Sequence, residues 1–390
     1  MAEWISKTLG EITLFITKGI PPKYVEEENQ NTVRVLNQKC NRNFEISYDE
    51  SRIHNALIKK VPEDKLLRYG DVLINSTGTG TAGRVAQLFN VPVPTTMDGH
   101  MILLRPIDEV DPLYYGYAVK SQQKKIESLA EGSTGQTEIN RQRLKDEIII
   151  TYPKEKMLQK AIGKFLFQID EKIRNNKRIN NNLEQQAQAI YQQMFIDNAS
   201  SDWTEGTLSN IADITMGQSP SGSSYNEDGN GTIFFQGRAE FGFRFPTVRL
   251  YTTEPKRMAC ANDTLMSVRA PVGDLNVAHT NCCIGRGLAA IHSKNNHQSF
   301  VLYTMFSLKK QLDVFNGEGT VFGSINRNSL NEMPILIPSS EKLDEFEALV
   351  VPMDIAIRNN YDEICRLEQL RDSLLPKLMS GELDVSNIEL

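Results

Sequence analysis

The sequence predicts an α+β protein: two mixed α/β domains in tandem repeat, each followed by a long helix, the two helices pairing as an antiparallel coiled coil. Three observations carry that expectation. Segments of the first half recur, in order, in the second. Two stretches of 33 residues keep a seam at alternating three- and four-residue spacing. And 390 residues exceed one ordinary hydrophobic core, while 40% hydrophobic and 24% charged residues give a folded rather than a disordered composition.

The duplication begins at the first tryptophan. WISKTLGEI at Trp4–Ile12 recurs as WTEGTLSNI at Trp203–Ile211, and these hold both tryptophans of the chain. GDVLINS at Gly70–Ser76 recurs as NDTLMSV at Asn262–Val268, and EINRQRLKDEIIITYP at Glu138–Pro153 as SINRNSLNEMPILIPS at Ser324–Ser339. IRNN at Ile173–Asn176 recurs at Ile357–Asn360, and LEQ at Leu183–Gln185 recurs at Leu367–Gln369. The separation falls steadily from 199 to 184 residues, as two copies differing by small loop deletions require. The organisation expected is a first domain over 1–153, a spacer helix over 154–200, a second domain over 201–338, and a second spacer helix with a C-terminal tail over 339–390.

Periodicity places the helices. The first seam runs through Ile162, Leu166, Ile169, Ile173, Asn176, Asn180, Leu183, Ala187, Ile190 and Met194. The second runs through Phe346, Val350, Met353, Ile357, Asn360, Ile364, Leu367, Arg371, Leu374 and Leu378. An apolar stripe is most often an ordinary core-facing helix face, but about 50 Å at ~1.5 Å per residue outruns the usual globular helix. Pro352 is expected to kink or begin the second helix. Helices joined through an intervening domain must pair antiparallel, and a two-fold register sets Asn180 opposite Asn360, a polar pair that selects register at a cost in stability. The expectation is a rod that spaces two domains.

Net charge is −6, but it is unevenly spread: −1 and −1 on the two domains, +3 on the first helical segment and −7 on the second. Opposite signs favour pairing of the two helices, and near-neutral domains leave room for a local basic face. The five cysteines, Cys40, Cys260, Cys282, Cys283 and Cys365, form no CxxC pair, which argues for a reducing compartment and against a zinc site. With no apolar run of membrane length and no secretory leader, the chain reads as cytoplasmic.

No catalytic constellation stands out. GTGTAG at Gly78–Gly83 matches a dinucleotide fingerprint in letters, but the strand-like, proline-cut RVAQLFNVPVP follows where a helix must begin. The second copy, VRAPVGDLNVA at Val268–Ala278, discards the glycine pattern, so a turn is expected. His279 with Cys282 and Cys283 has no partner pair and reads as a buried structural cluster rather than a metal site. No methyltransferase, phosphate-loop, HExxH or GxSxG motif is present.

What recurs is polar, loop-borne and suited to nucleic acid. Asn, Gln and Arg can bond two sites on a purine edge, whereas Lys, Arg and hydroxyls serve phosphates. The candidates in the first half are Lys18, Lys23, Asn37, Gln38, Lys39, Arg42, Thr77, Thr79, Arg84, Gln136, Arg141 and Arg143. In the second half they are Gln218, Ser219, Ser223, Tyr225, Gln236, Arg238, Arg244, Arg269, Arg286 and Arg327. Surface loops are polar anyway. Arg84, Arg141, Arg143, Arg269, Arg286 and Arg327 are assigned to phosphates, with a structural turn at the duplicated INR as the competing reading of Arg141 and Arg327.

The segments GDVLINSTGTGTAGRVA, GQSPSGSSYNEDGNGTIFFQG, EGSTGQTEINRQRLKDEIIITYP with its second copy, and LRDSLLPKLMSGEL resemble the specificity subunits of type I restriction–modification systems, and the resemblance covers essentially the whole chain. It implies two target-recognition domains that each read one half of a bipartite double-stranded DNA target, spaced by the helices. It implies no catalytic activity and no cofactor in this chain. Two methyltransferase subunits would dock on the helices and use S-adenosylmethionine, and up to two restriction–translocase subunits would use ATP and magnesium. Because the two domains differ at most polar loop positions, the target is expected to be asymmetric. The alternative is a stand-alone duplicated DNA-binding or scaffold protein without modification partners. A methyltransferase using Gly78–Gly83 ranks behind both.

Overall fold

Each copy of the repeat opens, at or just after its tryptophan, with a strand that closes back on the far end of its own domain. In a computed structural model that describes residues 3–132, 137–317 and 323–383, Trp4–Thr8 pairs antiparallel with Ile149–Pro153. Thr204–Thr207 pairs in the same way with Pro334–Ile337. The segments duplicated in sequence are thus strand partners in space.

The central sheet is duplicated too. In the first domain, antiparallel neighbours follow the order Thr13–Lys18, Met101–Pro106, Val72–Asn75, Val85–Gln87. In the second, Ala212–Met216, Leu288–Ser293, Thr264–Ser267 and Leu275–Val277 repeat that order. Val72–Asn75 and Thr264–Ser267 are buried at every position, so these strands read as continuous apolar-to-small runs without alternation. The aspartate that precedes each is buried and bonded to a side chain one strand away. Asp71 holds Arg105 through two hydrogen bonds of 2.7 and 2.8 Å, and Asp263 accepts from the His292 ring at 2.6 Å. A second sheet in each domain carries a parallel pair, Thr32–Leu36 with Thr95–Met97 and Thr232–Phe235 with Cys282–Ile284.

A helix packs on each central sheet, Pro112–Ser121 in the first domain and Gln298–Ser307 in the second. Their buried side chains include Tyr114, Tyr115 and Tyr117, and Phe300 and Tyr303. The duplicated INR is a helix start in both places. The Asn140 side chain accepts from the N–H groups of Gln142 and Arg143, and Asn326 accepts from that of Ser329, each satisfying orphan donors of the following turn.

The long helices run over Lys156–Tyr191, extended by a π-type turn to Asp197, and over Ser340–Ser380. The second does not begin at Pro352; it starts at Ser340 and continues through the proline. The chain forms two compact units, Met1–Asn175 with Glu363–Leu390, and Asn176–Asp362, so each unit takes part of both long helices. In the first, Ile162 and Leu166 join the domain core with Leu378 and Met379, and Ile169 and Ile173 pack with Ile364. In the second, Ala187, Leu183, Ile190 and Met194 pack with Phe346, Val350, Met353 and Ile357. None of the seam positions named from the sequence is exposed. Asn360 donates to the Asn180 side chain at 2.8 Å, and Asn180 donates to the Ile357 carbonyl at 3.2 Å, so the polar pair of the expected register meets.

Each tryptophan covers a helix end. Trp203 packs on Phe195 with ring centroids 5.8 Å apart. Gly381 at φ +78° lies against Trp4, where a Cβ would sit 2.6 Å from the indole ring. The glycine of the LMSGEL ending is therefore required both by its dihedral and by contact.

Candidate nucleic-acid interface

A single backbone frame gathers the polar loops at one end of the central sheet, and it occurs twice. In the first domain the Gly19 and Ile20 N–H groups donate to the Met101 and Met97 carbonyls at 3.2 and 2.9 Å. Asp98 N–H donates to Leu36, Ser76 to His100, and Ile139 to Ser76, at 2.9, 2.8 and 2.8 Å. In the second domain Gly217 and Gln218 donate to Leu288 and Ile284, Gly285 to Phe235, Val268 to Gly287, and Ile325 to Val268, all between 2.8 and 3.1 Å. The five bonds correspond one to one. A Cβ on Gly19 would meet the Asp98 carbonyl at 2.0 Å, and one on Gly217 the Gly285 carbonyl at 2.2 Å, so both Gly/Pro turns are pinned to the neighbouring chain.

On this common frame the side chains differ. Equivalent places hold Lys18 and Met216, Ile20 and Gln218, Asn37 and Gln236, Thr77 and Arg269, Asp98 and Gly285, Gly99 and Arg286, His100 and Gly287, and Glu138 and Ser324. The Thr77–Glu138 and Arg269–Ser324 bridges fix the last correspondence. The first surface carries Glu138, with Asp98 buried behind it, whereas the second carries Arg269 and Arg286, both exposed and without a carboxylate partner among the described residues.

Most of the sequence-derived candidates fall into four groups. Gln38, Thr77, Lys18 and Arg141 lie together around the end of Val72–Asn75; Lys18 and Glu138 form an ion pair, and Arg141 is exposed at the first turn of its helix. Arg42 and Arg84 line a separate groove with Asn43, Thr81, Lys120 and Gln123, in which Arg84 also donates to the Gly80 carbonyl at 3.1 Å. Gln218, Ser223, Gln236, Arg238, Arg269, Arg286 and Arg327 are exposed in the second unit, with Ser219 half-buried and receiving the Arg286 N–H. Lys23, Lys39 and Thr79 are exposed in the first unit.

Several candidates already have structural partners. Arg143 pairs with Glu131 and with Glu147 in the next turn of its helix, and Arg238 pairs with Asp274 at 2.6 Å. Asn37 caps a short 3-10 turn and gives its amide to the Glu50 carbonyl at 2.6 Å. Tyr225 packs on Phe234 and donates to the Pro220 carbonyl. Gln136 lies outside the described residues.

Arg244 is a correction: it does not face a ligand. It is buried, 4% exposed, donating to Tyr303 at 2.8 Å and Asp354 at 3.1 Å and lying 3.4 Å from Glu184. Removing a guanidinium from water at such a depth is tolerable only because these carboxylates and the phenol oxygen meet it. An equivalent cluster stands in the first unit. Tyr117 donates to Asp170 at 2.6 Å, and Arg371 to the same carboxylate at 2.9 Å. Burial pushes both phenols up, so Tyr117 and Tyr303 remain donors across the working pH range. These clusters fasten each domain to its helices.

GTGTAG forms a turn with Gly78, Gly80 and Gly83 at positive φ, followed by the strand Val85–Gln87 in place of a helix. Cys282 and Cys283 are buried in a strand, the Cys282 thiol pushed up to about 12 by desolvation, whereas His279 is half-exposed and bonded to Asp362 at 2.8 Å. Among the described residues no group of His, Cys, Asp or Glu could hold a metal ion, and no helix is long and apolar enough to cross a membrane. The site residue that sequence reasoning missed is His100, whose ring lies 2.8 Å from the Thr77 hydroxyl. Its only signal was its place before MILLRP, two residues after Asp98.

Comparison with known proteins adds an independent view. The profile of the type I restriction modification DNA specificity domain matches residues 1–185 and again 200–345. A Methanocaldococcus jannaschii protein, provisionally named the type I restriction enzyme MjaX specificity subunit, is 28% identical over 98% of this chain and 94% of its own. The type I restriction enzyme MjaIX specificity subunit of the same organism is 25% identical over 99% and 95%. The crystal structure of a type I restriction–modification S subunit from M. genitalium superposes with a TM-score of 0.63 at 19% identity, covering 97% of this chain and 96% of that one, which places the fold.

Proposed function

Because the chain belongs to the type I restriction–modification DNA specificity family, we propose that its two domains read different halves of an asymmetric bipartite target and that the modification chemistry lies in partner subunits. The observation that carries this reading is the duplicated frame of five backbone bonds bearing different side chains. A shared frame presents loops to DNA in the same way twice. Different side chains on it select different bases, since phosphate contacts position a protein and base contacts specify. The comparisons lend nothing to a stand-alone scaffold.

The partners in this reading are double-stranded DNA, two methyltransferase subunits docked on the long helices, and up to two restriction–translocase subunits. S-adenosylmethionine, ATP and magnesium belong to those partners, and this chain binds none of them. The length of the two helices sets the gap between half-sites. Affinity purification of the tagged chain from its native host tests the assembly. Methyltransferase chains in stoichiometric amount support it, and a chain recovered alone that still binds one bipartite sequence contradicts it. Measurable S-adenosylmethionine binding by the isolated chain in equilibrium dialysis would overturn the division of labour.

A further inference from the structure

In the first domain Gln38 is held from three sides. Its carbonyl accepts from Asn75 at 3.0 Å, and Asn75 in turn accepts from Asn41 at 3.2 Å; both asparagines are fully buried. Its side-chain oxygen accepts from the Thr77 hydroxyl at 3.3 Å, and that hydroxyl lies 2.8 Å from the His100 ring nitrogen. The third side is Gly78, at φ +116°, where a Cβ would come within 2.7 Å of the Gln38 side-chain oxygen. A hydroxyl has one proton to give. When Thr77 donates it to Gln38, His100 donates to Thr77, and the three side chains form a directed chain that fixes the orientation of the amide.

The Gln38 NH2 group has no hydrogen-bond partner among the described residues, and its oxygen retains a second lone pair. A carboxamide so presented offers a donor beside an acceptor, the complement of the N7 and N6 pair on the major-groove edge of adenine. Fixing it in advance reduces the rotamer entropy lost on binding. Among the described residues the second domain has no such group. The same frame places Arg269 where Thr77 stands and Gly287 where His100 stands, with Gly237 following Gln236. An exposed guanidinium stands there instead.

We infer that the Gln38 carboxamide reads an adenine in the half-site of the first domain, with Thr77 and His100 as positioning residues. This rests on the bipartite reading given above. The test uses the full chain in complex with its methyltransferase subunits and maps methylated sequences for the wild type, Gln38→Ala, Gln38→Glu, Thr77→Val and Thr77→Ser. In the wild type one position of the first half-site is fixed as A. In Q38A, discrimination at that position alone falls by about 5- to 150-fold, the worth of one bidentate pair, and the other half-site is unchanged. Q38E, which lacks the donor, moves the preference toward cytosine, whose amino group donates to a carboxylate. T77V loosens the same position, and T77S restores it. Three outcomes overturn the inference: an unchanged consensus in Q38A and Q38E, a uniform loss of affinity with a smaller salt slope (the mark of a phosphate contact), or T77V and T77S behaving alike. A wild-type map without two half-sites defeats the bipartite reading itself, whereas an intact bipartite map that ignores Gln38 defeats only this assignment.

Discussion

Asp98 lies 6% exposed behind the reading loops, where it accepts the His100 N–H at 2.9 Å. Burial is the main influence on it and raises its carboxyl above the ordinary 3.8, against a smaller opposing pull from His100 and Arg52. The sign of the linkage follows. Below 3.8 the group is neutral in both states, and as pH rises through its folded value the native state bears a charge it disfavours. Asp98→Asn keeps the acceptor and removes that charge. The variant is expected to melt higher than the wild type at pH 7, with the gain vanishing below about pH 3.8; equal melting temperatures across a pH series would refute this. Arg244 belongs to the same scale. Its loss in Arg244→Ala leaves Asp354 and Glu184 facing a half-buried void, a cost of about 3 kcal/mol for breaking a buried pair. Urea denaturation should show that loss, and the salt dependence of DNA binding by the folded fraction should be unchanged. Residue type could not separate Arg244 from Arg269 in the sequence, because a guanidinium serves a phosphate, a base edge or a buried carboxylate alike. The neighbours could: Phe243, Phe245 and Pro246 surround Arg244, and two of those three are buried.

The long helices were legible because a seam at 3.5-residue spacing repeats over many turns, and Asn180 and Asn360 fell into register across the pair. The uninterrupted passage of the second helix through Pro352 was not legible. A proline in a helix interior costs about 3 kcal/mol, which argued for a kink or a start at Pro352. Phe346 and Val350 on one side and Ile357 on the other are all 0% exposed, and burying each contributes ~1.5–3 kcal/mol, so packing outweighs the lost hydrogen bond. The asparagine pair makes a separate prediction. Asn180→Leu alone strands the Asn360 amide and should cost about 1–3 kcal/mol, whereas the double variant with Asn360→Leu should recover most of it. A double-mutant cycle with no coupling between the two sites would show that the bond carries no stability.

At the scale of the chain, the tandem organisation was readable from letters alone, because WISKTLGEI, GDVLINS and EINRQRL each have a second copy in the same order. The reading surface was only half readable. Thr77 and Gln38 are far apart in sequence, and what joins them to His100 is the backbone frame rather than any motif. That frame also explains why the two copies share so few polar residues: the bonds that hold the loops are main-chain bonds, which leave the side chains free to differ. Shortening both long helices by one heptad removes about 10 Å from each and should change or abolish the gap between half-sites while leaving the bases of each half intact. Altered half-site bases would count against a spacer role. The central claim is that one frame, used twice with different side chains, reads two different sequences. The most direct test is a base-resolution methylation map of the native host with and without this gene. One motif should disappear with the gene, made of two unlike half-sites at a fixed separation. A palindromic motif, or an uninterrupted one, would contradict it.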